Sequence, residues 1–96
     1  MATFEGQVGT LTDNGSTEVF TGRGVYELCQ FSGDYGDGVV NTEMSIDNGD
    51  TWVETGDRFN IDVAFNIYAF TAKYRFTLSG AASPNISYYV SIPGVA

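Results

Sequence analysis

Apolar residues recur at every second position over several separate stretches of this chain, a period that places side chains on alternate faces of an extended backbone. The clearest stretch is 61–69, where Ile61, Val63, Phe65, Ile67 and Ala69 alternate with Asp62, Ala64, Asn66 and Tyr68. Residues 74–78 follow suit, with Tyr74, Phe76 and Leu78 on one side and Arg75 and Thr77 on the other. In 86–92, Ile86, Tyr88, Val90 and Ile92 take the inward phase and Ser87, Tyr89 and Ser91 the outward one. Val40, Thr42, Met44 and Ile46 oppose Val39, Asn41, Glu43 and Ser45. Each run reads as a half-buried strand, and a chain built of such runs must hide one face of every strand.

Weaker signals fill in the rest. Phe4 and Val8 suggest a first strand, and 16–20 a short one. Gly24 to Phe31 is strand-like in composition, but its apolar phase changes between Leu28 and Cys29, which predicts a bulge or burial on both faces. Turn residues separate the runs: Asp13-Asn14-Gly15, Gly33 through Gly38, Asn48-Gly49, and Gly80 through Asn85. From Asp57 to Ser79 there is neither Gly nor Pro, yet the Val, Ile, Phe, Tyr and Thr content favours two strands joined near Thr71-Ala72 over a helix. The expectation is an all-β fold: one domain over 1–96, a two-layer antiparallel β-sandwich or jelly roll of roughly six to eight short strands, with little or no helix.

Charge narrows the function. Twelve acidic residues face four basic ones, for a formal net charge of −8, and there is no histidine. Arg23, Arg58, Lys73 and Arg75 are too few to displace counterions along a phosphate backbone, so nucleic acid is not an expected partner. An acidic chain is likewise a poor match for anionic membrane, and no apolar run approaches the ~18 residues of a spanning helix. Met1-Ala2-Thr3-Phe4-Glu5 lacks the basic and apolar regions of a secretory signal, which makes synthesis in a cytoplasm the expectation. Cys29 alone cannot form an internal disulfide and is expected to be a small buried hydrophobe. Without histidine the Ser-His-Asp, Cys-His and imidazole-metal arrangements drop out, leaving carboxylates as the sole catalytic option. The expectation is a protein that is not an enzyme and uses no cofactor.

One motif is sharp. Ser45-Ile46-Asp47-Asn48-Gly49-Asp50-Thr51-Trp52 fits S-x-D-x-G-x-T-W and resembles the Asp-box hairpin of sialidases and many unrelated β-proteins. Asp47 can accept backbone N–H groups of the turn, Gly49 can take a left-handed conformation, and Trp52 can fold back on the following strand. Ser45, Asp47, Gly49, Thr51 and Trp52 are therefore structural hairpin residues. In sialidases the box repeats on propeller blades away from the active site, and 96 residues are too few for a propeller.

Two acidic loops, one with Asp34 and Asp37 and the other with Asp47, Asp50, Glu54 and Asp57, offer oxygens of the kind calcium takes, but neither has EF-hand spacing, so no metal ligand is assigned. Nothing places two carboxylates across a cleft in glycosidase fashion. Tyr68 and Tyr89, outward by alternation, and Arg75 are the candidate interface residues.

Taken in order, Gly24-Val25-Tyr26-Glu27-Leu28, Phe31-Ser32-Gly33, the Ser45–Trp52 box, Tyr74-Arg75-Phe76-Thr77-Leu78-Ser79-Gly80 and Ile86-Ser87-Tyr88-Tyr89-Val90 resemble small β-sandwich structural proteins of tailed bacteriophages over residues 24–92. Asn48 stands where such hairpins usually carry a first Gly, a position that Asn also tolerates. The resemblance implies a virion protein made in the host cytoplasm and, within that class, a capsid decoration or cement protein. Its partners would be the major capsid protein, or another virion protein, and further copies of itself. The alternative is a tail or fibre-adaptor module, or a carbohydrate- or receptor-binding one assisted by calcium.

Overall fold

The computed structural model describes residues 6–92, which hold nine strands and no helix. In chain order they are β1 (Gln7–Leu11), β2 (Gly15–Ser16), β3 (Phe20–Thr21), β4 (Val25–Asp34), β5 (Val39–Ser45), β6 (Val53–Phe59), β7 (Val63–Ala69), β8 (Lys73–Ser79) and β9 (Asn85–Val90). Every pairing is antiparallel. One sheet runs β1-β9-β4-β7 and the other β2-β8-β5-β6, with β3 also on β8. Two sheets each apolar on one side bury those sides against one another, and the result is the expected sandwich.

Phe31 of β4 sits at the centre of the core. Its ring centroid lies 4.9 Å from those of Phe59 and Phe76, 5.7 Å from Tyr88 and 6.3 Å from Phe65. These rings come from β4, β6, β7, β8 and β9, so one side chain ties both layers together, and its complete burial contributes roughly 2–3 kcal/mol. The inward phases expected for β8 and β9 hold: Tyr74, Phe76, Leu78, Ile86, Tyr88, Val90 and Ile92 are all buried. Cys29 is buried as well, and loss of solvent, reinforced by the Glu27 and Asp57 charges, pushes its thiol up to about 12.

Several expectations need correction. The strand count is nine because the short strand expected at 16–20 is split and because β6, whose sequence shows no alternating run, follows the 45–52 hairpin. At Thr17 the side-chain Oγ1 accepts the Phe76 N–H (3.0 Å) while the Thr17 N–H donates to the Phe76 carbonyl (2.8 Å), so a hydroxyl stands in for the backbone acceptor and the ladder breaks. Ile46 and Ile61, read as the ends of inward faces, are exposed because β5 stops at Ser45 and β7 begins at Val63. Gly33 and Asp34, read as turn residues, complete β4. Phe4 lies outside the described residues.

The change of phase expected in β4 does not exist. Glu27, Cys29 and Phe31 all point inward, with Tyr26, Leu28 and Gln30 outward, in unbroken alternation. Glu27 is 1% exposed, and its carboxylate receives Arg23 Nε and Nη2 (both 2.8 Å) and Ser91 Oγ (2.7 Å). A charged residue can occupy a core position when its lone pairs are satisfied in this way. The irregularity falls instead between β5 and β6, where the register shifts between Asn41 and Glu43 and Gly56 takes φ 100°.

Candidate interaction surface

The Ser45–Trp52 segment forms the expected hairpin between β5 and β6. Ser45 Oγ donates to Asp47 Oδ1 (2.7 Å) and accepts the Gly49 N–H (2.8 Å), while the same Asp47 oxygen accepts the Thr51 N–H (2.8 Å). Asn48 and Gly49 have φ 62° and 95°, the left-handed region this turn requires. Donors from Ser45 and Thr51 hold the Asp47 carboxyl down at about 2. Both oxygen-rich side chains are thus committed to the turn. Trp52 is half-buried, and the Arg75 guanidinium carbon lies 4.2 Å from its ring centre.

Arg75 is accordingly part of a network on the outer side of the β2-β8-β5-β6 sheet. Its Nε donates to Glu43 Oε1 (2.7 Å), which also accepts Thr77 Oγ1 (2.8 Å). Partial burial raises the Glu43 pKa, but the Arg75 and Thr77 hydrogen bonds outweigh it and the net shift is downward. The three candidate interface residues do not form one site: Arg75 lies on one sheet, Tyr68 and Tyr89 on the other.

On the β1-β9-β4-β7 sheet, Tyr89 stands in a cross-strand row with Val8, Gln30 and Ala64. Tyr26 and Tyr68 face each other across β4 and β7, edge to face with centroids 5.1 Å apart, and Phe70 packs on Tyr68 at 4.7 Å. Leu28 lies between these rows, and Val8 (71%), Tyr26 (73%), Leu28 (44%) and Tyr68 (42%) are all exposed. Val8, Leu28, Gln30 and Tyr89 line a shallow depression of about 260 Å³. At the outward positions of β4 from Tyr26 to Ser32, and at those of β1, β9 and β7, no side chain carries a charge; the first is Asp34, at the far end of β4. The other sheet's outer side carries Glu43, Arg75, Glu54 and Arg58.

Val8, Tyr26 and Leu28 are the members of this surface that reading the sequence missed. For Tyr26 and Leu28 the signal was present in the alternation of β4, but the acid at Glu27 disguised the inward phase and made Leu28 look like a core residue.

Among the described residues no three acidic, Cys or His side chains gather as a metal would need. No family model, no curated protein and no solved structure matches this chain.

Proposed function

We propose that this protein is a non-enzymatic virion structural protein of a tailed bacteriophage, a capsid decoration or cement protein that adheres through the outer face of the β1-β9-β4-β7 sheet. The single observation behind adhesion is that a chain of net charge −8 keeps the outer face of one sheet free of charge as far as Asp34 and sets Val8, Tyr26, Leu28, Tyr68 and Tyr89 on it. Exposed contiguous apolar and aromatic surface of this kind marks contact regions, and Tyr contributes area there at low entropic cost. The virion assignment rests on the resemblance over residues 24–92. On a shell of repeated subunits many weak contacts add, and copies of one module can also touch one another through the same face.

Sedimentation with capsids that lack their decoration protein tests this reading. The protein pellets with such capsids, and Leu28→Glu, which puts a charge at the centre of the face without touching the core, leaves it in the supernatant. Absence of the unmodified protein from the pellet overturns the capsid reading. The tail or receptor-binding alternative draws on a second feature, the cleft beside Tyr68 and Phe70.

A further inference from the structure

We infer that the cleft between β6 and β7 is a binding site for a cationic side chain of a partner protein, with the planar guanidinium of an arginine as the group it fits best. Each of these strands is the edge of its own sheet, so no strand closes the gap between the layers on this side. The register shift between β5 and β6, with Gly56 at φ 100°, bends β6 opposite Thr42, beside a cleft of about 370 Å³.

Three kinds of group line it. Tyr68 and Phe70, both exposed, contribute aromatic rings, and cations are attracted to ring faces. Glu54 and Asp57, both exposed on β6, add acidic residues at the rim of the cleft. Thr42 is 1% exposed, and its Oγ1 has no hydrogen-bond partner among the described residues, although its carbonyl accepts Thr55 Oγ1 at 3.4 Å. A buried hydroxyl without a partner is rare and calls for an explanation. A donor arriving from outside supplies one.

Every polar side chain named here can accept a hydrogen bond, and no Lys or Arg lines the cleft. A guanidinium offers five donors in a plane, suiting carboxylate on one side and ring on the other. A neutral sugar could use the same rings and hydroxyls, but the net charge of −8 decides for a cation, because a low-dielectric cleft concentrates the field of surrounding acids. This inference does not rest on the virion reading.

The test is a titration of the ¹⁵N-labelled protein at low salt with N-acetyl-arginine amide, in parallel with the uncharged N-acetyl-citrulline amide. Saturating amide shifts at Thr42, Thr55, Asp57 and Phe70 are expected with the arginine probe and not with the citrulline one. In the double variant Glu54→Gln/Asp57→Asn, changed only at exposed positions, the affinity falls by about tenfold or more with the spectrum otherwise intact. Thr42→Val keeps the fold and weakens binding in the same direction. Equal responses to both probes overturn the inference, as does an arginine response no stronger here than at Asp13 or Asp50. Shifts at these amides with cellobiose and none with arginine also overturn it, by making the cleft a sugar site.

Discussion

At the scale of single residues, the consequential group is Glu27. The Arg23 hydrogen bonds lower its pKa most, burial opposes them, and Ser91 adds to the lowering. A carboxylate held below its ordinary value of 4.5 stabilises the fold fully above that pH, and the contribution is lost as pH falls through the lowered value. Asp47, held at about 2, is a second such group, and its share disappears in the same direction between its ordinary 3.8 and about 2. Arg23→Ala leaves Glu27 buried with only Ser91, and is expected to cost about 2–3 kcal/mol at neutral pH. That lies below the loss for a fully buried pair because the Arg23 side chain is 39% exposed. Urea unfolding at pH 7 and pH 3.5 checks both parts: the variant is less stable at pH 7, and the gap between variant and parent narrows at pH 3.5. An equal gap at both values would show that the ion pair is not the cause.

Among the strands, what could be read in advance depended on whether a polar residue sat in its usual place. β7, β8 and β9 were legible because their inward positions are apolar and their outward ones mostly polar, the condition under which a period of two is visible. β4 was misread because Glu27 breaks that condition, and nothing short of a structure reveals that Arg23 and Ser91 satisfy it. The Ser45–Trp52 hairpin was readable from short-range chemistry alone, since each of its hydrogen bonds spans at most four residues. At Thr17 the opposite holds: its partner, Phe76, is 59 residues away, and no local signal marks the break between β2 and β3. Thr17→Val removes the acceptor of a buried N–H and is expected to destabilise by about 1–3 kcal/mol, whereas Thr17→Ser recovers most of the loss. Thermal unfolding of the two variants separates the hydroxyl's role from that of side-chain bulk.

For the molecule as a whole, charge is distributed by face. The β2-β8-β5-β6 sheet presents ion pairs and acids across its outer side, whereas on the outer side of the opposite sheet the charge is confined to Asp34 at the end of β4 and to Arg23 beside its start. Two copies meeting through the uncharged face bring no unlike charges together, so their attraction comes from apolar burial and is opposed by the mutual repulsion of two chains at −8. Salt screens that repulsion. Self-association is therefore expected to strengthen between 20 mM and 500 mM NaCl in sedimentation equilibrium, and Leu28→Glu to abolish it at both. Weakening with salt would mean that ion pairs, and not this face, hold copies together. The face itself was half legible: Tyr68 and Tyr89 follow from alternation, but only the strand order β1-β9-β4-β7 shows that Val8 and Leu28 join them.

The pairing of β1 with β9 also has a topological consequence. Gln7 lies opposite Val90 across the ladder, so the backbone enters and leaves the described fold side by side. A short tether between those two points would close the polypeptide into a ring without disturbing either layer, and the ring could be reopened at the bend formed by residues 35–38. In such a permuted chain β1 and β9 become sequence neighbours, and a long-range closure that the natural order must achieve across almost its whole length becomes a local one.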